Sequence, residues 1–68
     1  MGRPHSSIKS RAIYRGMSDG YYEHDKVYEV YVWIRYTENT ILVRCKDPRY
    51  PIKEYPMYLL SYNWEFTQ

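Results

Sequence analysis

The chain of 68 residues is predicted to be all-β, one small domain built as a barrel of five short strands. Three observations lead there. Apolar residues alternate with a period of two between Lys26 and Lys46, no stretch has the length and 3.6-residue period of a stable helix, and Gly, Pro, Asn and Asp cluster between the alternating runs. A chain this short buries only about 60 % of the surface its unfolded form exposes, so it supports a single core. Curling the sheet into a barrel deals with the open edges that would otherwise invite aggregation.

Residues 1–7, with Gly2 and Pro4, are expected to be a flexible lead, and residues 8–68 the domain. From Ile8 to Arg15 one parity holds Ile8, Ala12 and Tyr14 and the other holds Lys9, Arg11, Ile13 and Arg15, which predicts a first strand with a basic solvent face. "GMSDGYYEHD", residues 16–25, carries two glycines and scattered acids and is a long first loop. "KVYEVYVWIRY", residues 26–36, is the strongest strand. Its even side, Tyr28, Val30, Val32, Ile34 and Tyr36, is uniformly apolar or aromatic and is assigned to the core. Its odd side is mixed, with Glu29 and Arg35 bounding Tyr31 and Trp33, the pattern of an aromatic patch facing outward. After the connection "TENT", the run "TILVRCK" sends Ile41, Val43 and Cys45 inward and Thr40, Leu42, Arg44 and Lys46 outward. "DPRYP" is a turn, Ile52–Tyr55 a short fourth strand closed by Pro56, "MYLLSY" a 3₁₀ or helical turn, and "NWEFTQ" the last strand.

Composition narrows the function classes. Ten Tyr, two Trp and one Phe make 19 % of the chain, more rings than one small core accommodates with every phenol inside. The lone Cys45 excludes an intramolecular disulfide and a cysteine-based metal site, and its inward parity predicts a buried small hydrophobe. No apolar run approaches the roughly 18 residues of a membrane span, and the N-terminus shows no secretion signal, so no membrane partner and a cytoplasmic setting are expected. "MGRPHS" matches the loose acylation pattern through Gly2 and Ser6, with Pro4 against it. Residues 1–16 hold Arg3, Lys9, Arg11 and Arg15 and no acid, while the rest of the chain carries six bases and all eight acids. That local excess either faces phosphate or serves solubility.

Enzyme chemistry finds no support. Ser18, His24 and Asp25 lack a nucleophile-elbow context, "GMSDG" lacks the Lys-Ser/Thr end of a phosphate loop, and His24 with Glu23 and Asp25 offers neighbouring residues on one loop rather than converging ligands. No enzyme, no cofactor and no metal are expected.

"AIYRG" at 12–16, "DKVYEVYV" at 25–32 and "KEYP" at 53–56 before "WEF" resemble the small SH3-like barrel proteins of Gram-positive bacteria and their phages. The likeness spans residues 11–66. Two departures stand out: Asp25 replaces a glycine before Lys26, and extra residues separate Pro56 from Trp64, which leaves the register of the last strand open. The resemblance implies an SH3-like barrel with a long first loop and a 3₁₀ or helical turn before the last strand, a cytoplasmic setting and prophage ancestry. On such a barrel the first loop and the turn before the last strand lie close together, which makes Tyr21, Tyr22, Tyr55 and Tyr58 a candidate groove for a protein or proline-rich peptide. The competing surface is a nucleic-acid face made of Tyr31, Trp33, Arg35, Arg44 and Lys46 with Arg11 and Arg15. Self-association is the third reading.

Overall fold

The computed structural model describes residues 7–67, and the lead expected over 1–7, with its acylation pattern, lies almost wholly outside them. Five strands form one antiparallel sheet: β1 (Ile8–Tyr14), β2 (Val27–Arg35), β3 (Thr40–Cys45), β4 (Lys53–Pro56) and β5 (Trp64–Thr67). Between β4 and β5 the chain makes a 3₁₀ turn, Met57–Leu59, that runs into the single helical turn α1 (Leu60–Asn63). Both alternatives read for "MYLLSY" are therefore realised, one after the other.

The sheet order is β4-β3-β2-β1-β5, so β4 and β5 are its two edges. The sheet curls until these edges face each other, as a half-barrel rather than the closed barrel expected. Closure by backbone pairing fails for a local reason. Each edge strand has four residues, and β4 ends on Pro56, which has no N–H to offer. Side chains bridge the seam instead: Trp64 Nε1 donates to Tyr55 Oη at 3.1 Å.

Register decides which residues share a face. Ile8, Val32, Val43 and Lys53 form one inward row, Ser10, Val30 and Cys45 the next, and Ile34, Ile41 and Tyr55 a third. Val30, Val32, Ile41, Val43 and Cys45 are buried, as their parity predicts. Towards the other end the core becomes aromatic, where Tyr14, Tyr22, Tyr28 and Trp64 pack with ring centroids 5.0–6.2 Å apart.

Every phenol in that cluster has a hydrogen-bond partner. Tyr22 donates to the Pro51 carbonyl at 2.8 Å, Tyr14 to the Met17 carbonyl at 3.0 Å, and Tyr28 Oη accepts from the Glu23 N–H at 2.8 Å. Burying a ring while its hydroxyl stays bonded avoids the cost of an orphaned polar group. This is how a core of this size takes so many tyrosines.

Three assignments change. Tyr36, placed on the core face, is 79 % exposed because β2 ends at Arg35 and the Tyr36–Asn39 turn begins there. The fourth strand is shifted by one residue, starting at Lys53 and including Pro56, which leaves Ile52 exposed. Ile8, on the inward parity, sits exposed at the rim of the sheet.

Candidate binding surface

The outward side of β2 and β3 is an ordered array. Lys9, Tyr31 and Arg44 stand in one cross-strand row, Trp33, Leu42 and Glu54 in the next, and Arg11 stands opposite Glu29 in the row on the other side. The alternation that buries Val30 and Val32 and half-buries Ile34 compels this. A strand whose even residues fill a core must show its odd ones outside.

Arg44 lies between two rings. Its guanidinium carbon is 5.2 Å from the Tyr31 ring centroid and 5.5 Å from that of Trp33, within the range of cation–π attraction. All three side chains are half-buried, held by one another on an open sheet face. Arg44 Nε is shut off from solvent and has no hydrogen-bond partner. Lys9 and Arg11 have no acid partner among the described residues, whereas three other bases are paired. Arg35 meets Glu54 at 3.2 Å and Glu38 at 3.5 Å, Lys46 meets Glu29 at 3.4 Å, and Arg15 meets Asp25 at 2.9 Å and Glu65 at 3.7 Å. Beside the Arg44 row, Trp33, Arg35, Leu42 and Ile52 line a shallow hollow of about 430 Å³.

The outward residues of the nucleic-acid face are thus brought together, with Arg15 removed to the loop end beside Asp25. The aromatic groove is not. Tyr22 is fully buried, so it is core and not a groove wall, and burial raises its hydroxyl pKa. Tyr55 is half-buried at the seam, where burial is the main cause of its raised pKa and the bond from Trp64 opposes it. Tyr21 is 52 % exposed with its ring edge on Tyr50, and Tyr58 is 72 % exposed on the 3₁₀ turn. Two of the four rings point into the protein and two out, so they make no continuous groove.

At the loop end, Asp19 organises the chain. Its Oδ1 accepts from the N–H groups of Tyr21 at 3.0 Å and Tyr22 at 2.8 Å, and its Oδ2 pairs with Lys53 Nζ on β4. The Lys53 hydrogen bond and then the Tyr22 N–H hold the Asp19 carboxyl at about 2, against an ordinary 3.8. Lys53 also lies over the Tyr22 ring at 5.7 Å. This latch fastens the long loop over the aromatic end of the core.

Sequence reading missed Ile52 and Lys53. Ile52 shares parity with Glu54, so a strand start one residue later would have put it outside. Lys53 occupies an inward position where a charge is unexpected, and only the three-dimensional meeting with Asp19 explains it. His24 is exposed beside Asp25, and among the described residues no group of three or more His, Cys, Asp and Glu side chains could hold a metal ion. Among the described residues no helix is long and apolar enough to cross a membrane.

No protein-family model matches this chain, and no curated protein or solved structure is significantly similar to it.

Proposed function

We propose that the protein is a non-enzymatic binding module that docks on another protein through the outer face of β2 and β3. The observation that carries this is the set Tyr31, Arg44 and Trp33, locked by mutual stacking and left half-exposed next to the hollow at Leu42 and Ile52. Rigid rings and a held arginine lose little entropy on association and are the residue types that dominate protein interfaces. The paired charges around them, Arg35 with Glu54 and Lys46 with Glu29, form a polar and nearly neutral rim. The strand order, the long β1–β2 loop and the turn before β5 support reading the half-barrel as SH3-like, while a relation to the proteins of Gram-positive bacteria and their phages, and a cytoplasmic setting, rest on the sequence resemblance alone.

Quantitative capture from a bacterial lysate tests the docking surface. Wild type should retain a specific protein, Trp33→Ala should lose it, and Tyr58→Ala, altered on the exposed 3₁₀ turn, should keep it. Equal capture by all three removes the Trp33 face from consideration.

A second reading, nucleic-acid binding, is favoured by one observation: Lys9, Arg11 and Arg44 have no acid partner among the described residues. It requires binding to single- or double-stranded DNA that falls steeply as salt rises. No binding at low salt eliminates it.

A further inference from the structure

We infer that the ligand of this outer face is an acidic, extended segment of a partner protein, whose carboxylate is taken by Arg44 between Tyr31 and Trp33 while an apolar side chain two residues away enters the Trp33–Leu42–Ile52 hollow. The inference rests on the protein-binding reading above and specifies its chemistry.

A guanidinium carries five N–H donors in a rigid plane, matched to the two oxygens of a carboxylate. On this face both acids are committed, Glu29 to Lys46 and Glu54 to Arg35, and no acceptor reaches Arg44 among the described residues. Its Nε is buried without a partner, while the residue as a whole is only half-buried. The rings at 5.2 and 5.5 Å hold the plane in place before any ligand arrives. Ordering a long side chain is a usual cost of binding, and here folding has already met it. Lys9 stands in the same row without an acid partner among the described residues and adds to the positive potential at that point.

Spacing selects the rest of the ligand. The Tyr31–Arg44 row and the Trp33–Leu42 row are two residues apart along β2. That is about 7 Å, the distance between residues i and i+2 of an extended chain. A segment lying along β2 can therefore present a carboxylate at one row and an apolar side chain at the next.

A nucleic acid fits less well. It needs free ring faces for its bases and several unpaired cations for its phosphates. Tyr31 and Trp33 each have one face taken by Arg44, and Arg35 and Lys46 are already neutralised.

A displayed library of random dodecapeptides, panned on wild type, Arg44→Gln, Arg44→Lys and Trp33→Ala, tests this, with each variant first shown to melt cooperatively. Wild type should enrich peptides bearing Asp or Glu two positions from an apolar residue. Their affinity should fall about tenfold or more with Arg44→Gln, a loss of about 1.4 kcal/mol, and less with Arg44→Lys, which keeps the charge but not the plane. Trp33→Ala should remove the apolar preference. Enriched peptides that depend on Trp33 but show no acidic bias, or an acidic bias that survives Arg44→Gln, overturn the inference and leave the docking surface standing. Absence of any Trp33-dependent peptide, together with equal lysate capture by Trp33→Ala, overturns the docking surface as well. A single-stranded oligonucleotide that binds wild type more tightly than the best peptide and is released by Arg44→Gln reassigns the site to phosphate.

Discussion

Trp64 and Tyr55 illustrate how single residues close this fold. The indole is 1 % exposed, and its N–H has one acceptor, the Tyr55 hydroxyl across the seam between the sheet edges. Tyr55→Phe keeps the ring and deletes that acceptor, so it should cost about 1–3 kcal/mol, the penalty of a buried donor left unmade, read as a lower urea midpoint. In a domain whose whole stability is a few kcal/mol, Trp64→Ala should abolish cooperative unfolding, since truncating a buried Trp costs about 3–5 kcal/mol. Asp19 gives a pH signature. Its carboxyl, bonded by Lys53 and Tyr22, titrates at about 2 instead of the usual 3.8. Because the native value lies below the unfolded one, its stabilising effect is complete above the unfolded value and is lost as pH falls from about 4 through about 2. Asp19→Asn should therefore start less stable near neutral pH and lose less on acidification, measured as denaturation midpoints at about pH 6 and about pH 2.

Elements show where residue patterns speak and where they are silent. On β2 and β3 the parity of Val30, Val32, Ile41, Val43 and Cys45 was readable because each strand has one dry side, and a one-residue slip would invert all of them. Tyr36 followed the same parity to the wrong conclusion, since periodicity does not announce where a strand stops. Tyr22 carried no periodic signal: it is a loop residue drawn in by contacts with Tyr14, Tyr28 and Trp64, all distant or unaligned in sequence. The candidate site was legible as residue types, Tyr31, Trp33 and Arg44, but not as a sandwich, because that depends on the β2–β3 register pairing Tyr31 with Arg44. Turns obey their own chemistry. Asp25, standing where the resemblance places glycine, has φ 69°, and Asn39 in the β2–β3 turn has φ 58°. Both are residue types that tolerate the left-handed region. Asn39→Val should lower stability by about 1–2 kcal/mol while Asn39→Gly stays near neutral, compared by thermal melting.

Across the whole molecule, the half-barrel has a sealed end and an open one. Aromatic rings and the Asp19–Lys53 latch close the first. At the second, Ile34, Ile41, Leu60 and Phe66 line an apolar cleft of about 330 Å³. The proposed docking surface lies at neither end but on the convex wall between them, where Arg35 and Lys46 are paired and Arg44 lies between Tyr31 and Trp33. On that proposal, folding and recognition draw on opposite sides of the same strands.

The two tryptophans stand on those opposite sides, one sealed at the seam and one half-exposed against a cation. The molecule thus contains its own pair of optical probes. Replacing Trp33 with Phe would leave an emission spectrum that reports only whether the chain is folded, and subtracting it from the wild-type spectrum would isolate the signal of whatever arrives at the outer wall.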